Sequence, residues 1–190
     1  MEPHLSNNDK PMFYKYLDRT KVYFEFGCGG STYQASIRKN IEKIYSVESD
    51  KKWIDILKTK ISSDKVIHLY NEMNTKPNTW GYPGPKSTPE QHKSYSNQIR
   101  NLEQTEQQNI DLIFIDGRFR VACCLKCFDI IKPDCLIAFD DFLNRPFYHK
   151  VLDYFNIVEK TSDNRMVILQ KKVDVIIPDE IIAIYELDAR

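Results

Sequence analysis

The sequence predicts an α/β domain built on a mostly parallel sheet, and three observations carry that expectation. Short apolar runs of strand length alternate along the chain with segments of helical character. The first run, Val22 to Phe26, passes directly into a glycine-rich turn, Gly27-Cys28-Gly29-Gly30, and then into a helical segment. Acids sit at the ends of these runs. Ligands of open α/β sheets bind outside the carboxyl ends of the strands, so Glu25, Glu48, Asp116 and Asp140 are expected to converge on one rim.

In chain order, residues 1–20 read as an N-terminal extension with a helix, followed by the first strand at about 22–26. A helix is expected from Ser31 to Asn40 and a second strand at about 43–48. Asp50 is placed to cap an amphipathic helix running through Ile61, and Val66 to Tyr70 is the third strand. Residues 71–96 carry Pro77, Gly81, Pro83, Gly84, Pro85 and Pro89. They read as a lid, because a structureless connection of that length is uncommon in a compact domain unless it covers a site. The polar stretch 97–109 suits a solvated helix. Asp111 to Asp116 and Cys135 to Asp140 are the fourth and fifth strands, with a helix between them that ends near Lys132-Pro133. Residues 157–160 and 165–170 suit an antiparallel hairpin. The tail, 172–190, is apolar enough to pack on the body or on another subunit, which would make a homodimer.

Composition narrows the function classes. At 190 residues the chain can bury one sizeable core, so a single domain is expected over 1–190. Lys plus Arg equals Asp plus Glu at 27 each, so no global field points to nucleic acid or to a membrane surface. No stretch approaches the ~18 continuous apolar residues of a membrane span, and the first residues lack the apolar core of a signal peptide. The expectation is a cytoplasmic protein. The five cysteines, at 28, 123, 124, 127 and 135, are odd in number, and several fall in apolar segments; they read as reduced thiols. Cys124 and Cys127 form a CxxC, but no second pair or histidine cluster accompanies it.

The glycine spacing departs from the dinucleotide pattern GxGxxG, which disfavours an NAD-dependent oxidoreductase. Glu25-Phe26-Gly27-Cys28-Gly29-Gly30-Ser31 instead resembles the E/D-x-G-x-G-x-G motif of class I S-adenosylmethionine-dependent methyltransferases, with Ser31 in place of the third glycine. That resemblance implies a Rossmann-like, mostly parallel seven-stranded sheet with helices on both faces and a C-terminal antiparallel hairpin. It implies S-adenosyl-L-methionine as cofactor, with Glu25, Gly27, Gly29, Ser31 and Thr32 around its methionyl part. Glu48, 21 residues after Gly27, and its neighbour Ser49 fall at the ribose. A carboxylate suits two vicinal hydroxyls because it accepts a hydrogen bond from each. Asp116 would touch the cofactor's ammonium.

A second resemblance, to metal-dependent O-methyltransferases of the catechol and macrolide-sugar types, rests on the acids after the fourth and fifth strands. It makes Asp116, Asp140 and Asp141 candidate ligands for Mg²⁺ or Mn²⁺, which would acidify and orient an acceptor hydroxyl. The alternative leaves Asp140 structural and Asp141 a cap on the next segment.

Residues 22–170 further resemble a narrower group of small methyltransferase-like proteins, through Trp80-Gly81-Tyr82-Pro83, Asp116-Gly117-Arg118-Phe119-Arg120-Val121-Ala122-Cys123, Asp140-Asp141-Phe142, Arg145-Pro146 and Tyr148-His149. Proteins of this kind often occur with glycosyltransferases, including in large DNA viruses, where they methylate sugar hydroxyls of surface glycans; a viral protein would act in the host cytoplasm. The resemblance implies a saccharide acceptor. Trp80 and Tyr82 are suited to stack on a pyranose, and Arg118 or Arg120 to bind ring hydroxyls or a phosphate-bearing carrier. Trp80 could instead bury its ring to anchor the lid, and Arg118 could pair with Asp140 or Asp141. The catalytic candidates are Asp116, Asp140, Arg118 and, as general base, His149, whose imidazole titrates near neutrality; the bland role for His149 is a helix cap. Two other functions stay open: a methyltransferase acting on another small molecule or a macromolecule with His149 as base, and a non-catalytic cofactor-binding or assembly protein.

Overall fold

Seven strands form one sheet in the computed structural model, which describes residues 1–190. They are β1 (Val22–Phe26), β2 (Lys43–Glu48), β3 (Val66–Tyr70), β4 (Leu112–Ile115), β5 (Leu136–Phe139), β6 (Phe155–Lys160) and β7 (Val167–Lys171). Their order is β3-β2-β1-β4-β5-β7-β6. The first five are parallel to their neighbours, and β7 runs antiparallel to both β5 and β6. Order reverses between β1 and β4. A crevice opens at such a switch point, beyond the carboxyl ends of the strands.

The helices are α1 (Asp9–Leu17), α2 (Gly30–Ser36), α3 (Lys51–Lys58), α4 (Pro89–Asn97), α5 (Gln104–Asn109), α6 (Arg120–Cys127) and α7 (Asp179–Tyr185). Alternation along β1 sends its side chains two ways. Tyr23 joins Phe13 and Leu17 of α1, Ala35 of α2 and Phe114 in one apolar cluster. Phe24 and Phe26 join Tyr95 of α4, Cys123 and Cys127 of α6 and Phe139 in a larger one. All four cysteines beyond Cys28 are buried and reduced. Asp50 caps α3 as expected, accepting from the Lys52 and Trp53 amides.

Several boundaries differ from expectation. The helix after the glycine turn ends at Ser36 rather than Asn40. The lid is shorter, because Thr88-Pro89-Glu90-Gln91 forms a capping box with proline in the first turn and starts α4 inside it. The polar stretch 97–109 divides into a 3-10 turn, Gln98–Asn101, and α5. The tail packs on its own body: Ile181, Ile182 and Tyr185 of α7 meet the main core, and Lys126 of α6 pairs with Glu186. Its opposite side leaves Val173, Ile176, Ile184 and Leu187 exposed. No helix is long and apolar enough to cross a membrane.

Candidate functional site

The glycine turn is built on a buried carboxylate. Glu25 is wholly buried, and both its oxygens are taken by hydroxyls: Tyr23 donates at 3.0 Å, Ser31 at 2.7 Å, Ser46 at 2.6 Å, and Thr32 completes the set. Ser46 reaches it because β2 pairs residue for residue with β1, Glu25 opposite Ser46. Burial pushes the Glu25 carboxyl up to about 7 against the opposing pull of those four donors. Glu25 therefore shapes the loop from beneath, and the expected direct contact with a cofactor does not hold. Ser31 and Thr32, read as cofactor contacts, likewise commit their hydroxyls to Glu25. Above them Gly27 has φ +95°, and a Cβ there would lie 2.9 Å from the backbone of Gly117. The turns after β1 and β4 thus touch, which only glycine permits.

Glu48 ends β2 and faces this turn. Oε1 accepts from the amides of Ser49 at 2.6 Å and Asp50 at 2.9 Å, while Oε2 accepts only long bonds, from the Cys28 amide at 3.3 Å and its thiol at 3.4 Å. The indole of Trp53 donates to the Cys28 carbonyl at 2.9 Å and fixes the turn from the other side. Burial raises the Glu48 pKa. Beside Gly29 there is free space where a side chain would project. A carboxylate with one lightly engaged oxygen, next to an open glycine turn, fits the ribose and methionyl groups of S-adenosylmethionine.

Two segments cover this place. In the lid, Gly81 lies against the Ser49 hydroxyl and the Glu48 carboxylate. From the N-terminus, the Glu2 carbonyl packs where a Cβ of Gly30 would stand, and the ring of His4 lies 5.2 Å from that of Trp80. Trp80 itself is 78% exposed, with φ +55°, so it is not a buried anchor. The part played by the N-terminal segment was not read from the sequence; Pro3 and Leu5, both buried, were its only apolar signal.

At the ends of β4 and β5, acids and arginines interlock. Arg120, only 2% exposed, donates to the carbonyls of Gly117 (2.9 Å) and Asp140 (2.8 Å) and to Asp116 Oδ1 (2.9 Å). It is a buried strut, and the expected substrate contact through Arg120 is overturned. Asp141, with φ +55°, is paired through one oxygen with Arg145 at 2.6 Å and through the other with Arg165. Guanidinium groups occupy both oxygens that a cation would need, and nowhere do three His, Cys, Asp or Glu side chains gather in a metal-holding arrangement. The expected set Asp116, Asp140 and Asp141 does not fit Mg²⁺ or Mn²⁺.

Asp140 and Asp116 stand at the ends of the neighbouring strands β5 and β4. Burial and the neighbouring carboxylates push Asp140 up to about 8, and its Oδ1 has no partner. Asp116 is also raised, first by burial, although part of its side chain stays open to the rim. Both carboxyls are therefore held above the usual aspartate range. His149 lies in the 3-10 helix Pro146–Asp153, its ring against Phe142 and its Nε2 enclosed without a partner, which is poor placement for a base. Arg118 pairs with neither Asp140 nor Asp141; its guanidinium lies 6.0 Å from the ring centre of Tyr82, which is part-exposed in the lid. A groove of about 580 Å³ lies elsewhere, between the end of α6 and β7, and contains none of these groups.

With this strand order and this turn in view, comparison with known proteins is direct. No protein-family model and no curated protein sequence matches the chain. Solved structures do. A methyltransferase-like protein from Silicibacter pomeroyi superposes with a TM-score of 0.84 at 22% identity, over 100% of this chain and 98% of its own. The fold is that of the class I methyltransferases. The chain is also similar to a ribosomal protein L11 methylase from Lactobacillus delbrueckii subsp. bulgaricus (TM-score 0.56, 11% identity, 88% of this chain and 80% of that one). A proposed caffeoyl-CoA O-methyltransferase from Staphylococcus aureus gives 0.55 at 16% identity, over 90% and 86%. At these identities the methyltransferase likeness is one of fold.

Proposed function

We propose that the chain is an S-adenosylmethionine-dependent methyltransferase acting on a hydroxyl, with a sugar as the leading acceptor and a carboxylate, not a metal, taking the proton. The observation that carries this reading is Glu48: a carboxylate held by backbone amides at the end of β2, facing the glycine turn at the sheet's switch point. Glu48, with Ser49 beside it, is suited to the ribose, and the amide-lined turn Gly27–Gly30 to the methionyl part. When bound, the cofactor supplies a methyl group made electrophilic by its sulfonium.

Forming a carbon–oxygen bond from a hydroxyl releases a proton, and a nearby base must accept it. Asp116 fits that role. Arg120 holds its Oδ1, and burial raises its pKa, which makes it a better proton acceptor than a solvated aspartate. The exposed Trp80 and half-exposed Tyr82 supply apolar faces of the kind pyranose rings stack on. The lid and the N-terminal segment both lie against this site, Gly81 beside Glu48 and Glu2 beside Gly30.

The direct test is incubation of the protein with methyl-labelled S-adenosylmethionine and a panel of neutral and acidic saccharides. Label transferred to a saccharide, and lost with Asp116→Asn, supports the reading. Cofactor binding without transfer to any acceptor would favour a non-catalytic role.

A further inference from the structure

We infer that Arg118 and Lys76, which share the ring of Tyr82, form a binding point for an anionic group, a phosphate or a carboxylate, carried by the acceptor. Calling that ligand the acceptor rests on the methyltransferase reading; the anion site itself rests on the side chains alone. Around the rim, the other arginines are matched to acids. Arg120 pairs with Asp116, Arg145 and Arg165 with Asp141, and Arg190 with Asp188. Arg118 forms no ion pair, and its Nε is buried with no hydrogen-bond partner. A buried N–H of a guanidinium without an acceptor is costly, and it is satisfied when a ligand brings the missing oxygen.

Lys76 gives a second, independent pointer. Its ammonium lies 5.6 Å from the ring centre of Tyr82, as the Arg118 guanidinium does at 6.0 Å, and it too has no carboxylate partner. Lys76 and Tyr82 belong to the lid and Arg118 to the turn after β4, two residues from Asp116. The lid thus brings Lys76 to the same ring as Arg118, beside the turn that carries the proposed proton acceptor. One aromatic ring offers each only a weak attraction. The planar fork of Arg118 suits two oxygens of one phosphate or carboxylate, and Lys76 adds a second positive charge at the same ring. Because the chain as a whole has no net charge, such selectivity would come from this one place.

The test is calorimetric titration of inorganic phosphate and, separately, acetate into the full chain, with and without saturating S-adenosylhomocysteine. It is repeated with Arg118→Gln and Lys76→Gln. Lys76 is an exposed lid residue, so its variant keeps the test alive should Arg118→Gln fail to fold. The expected result is saturable binding of at least one anion, weakened about ten-fold or more by Arg118→Gln and about three-fold by Lys76→Gln, with unchanged affinity for S-adenosylhomocysteine. The stronger of the two anions identifies phosphate or carboxylate. Absence of saturable binding, or equal binding by wild type and variants, overturns the proposal. So does a ten-fold loss of S-adenosylhomocysteine affinity in Arg118→Gln, which would assign Arg118 to the cofactor's own carboxylate. If wild type fails to bind S-adenosylhomocysteine, the methyltransferase reading falls, while the titrations without it still judge the anion site.

Discussion

Replacing Glu25 by glutamine should change how stability depends on pH. Burial lifts the native carboxyl to about 7, against 4.5 for the free group. At about 1.36 kcal/mol per unit this is roughly 3 kcal/mol. Its sign follows from proton uptake: the folded state holds the proton more tightly than the unfolded chain does. The contribution is fully present below about pH 4.5 and is lost as pH rises through 7. Glutamine keeps the shape and cannot ionise, and the four surrounding hydroxyls can turn to donate to its oxygen or accept from its amide. Asp140 is raised too, but it titrates in both proteins and drops out of their difference. Urea unfolding of wild type and Glu25→Gln near pH 5 and near pH 8 should show the difference moving in the variant's favour by roughly 2–3 kcal/mol at the higher pH. A difference equal at both pH values would refute the picture of a desolvated carboxyl ionising within the fold.

Asp116→Asn should lower methyl transfer by about 10²–10⁴-fold while leaving S-adenosylhomocysteine affinity unchanged, measured by label transfer and calorimetry. Removing divalent cations with EDTA should leave the wild-type rate unchanged, because Arg145 and Arg165 hold the oxygens of Asp141; a rate restored only by Mg²⁺ or Mn²⁺ would contradict that arrangement. Gly30→Val should displace the N-terminal segment, since its side chain would occupy the place of the Glu2 carbonyl. The expected cost is about 1–3 kcal/mol by urea unfolding, with faster amide exchange in residues 1–5.

The places of the strands along the chain and the glycine turn were legible because they depend on local pattern. Apart from Glu25, Val22 to Phe26 is apolar on both sides, as suits a strand buried on both faces, and Asp50 announces α3 by its own chemistry. The start of α4 was legible too, in Thr88-Pro89-Glu90-Gln91, but the surrounding prolines and glycines outweighed it. What local pattern does not carry is the partner of a charged residue. Asp140-Asp141 reads as a cation site until Arg165, 24 residues away, is folded onto Asp141. Arg120 reads as a rim residue until β4 and β5 close around it and enlist it as their strut. Glu25 stands in a cofactor motif, yet its hydroxyl partners Tyr23 and Ser46 come from two paired strands, and only their register shows that the carboxylate is full.

The central claim is that the glycine turn and Glu48 form a cofactor site, and calorimetric titration of S-adenosylhomocysteine into wild type and Glu48→Ala tests it most directly. The account predicts saturable binding at one site per chain, weakened about ten-fold or more by the substitution, since a charged hydrogen bond contributes about 1.5–3 kcal/mol. A folded wild-type protein that gives no binding, or a variant that binds as tightly as wild type, would contradict it.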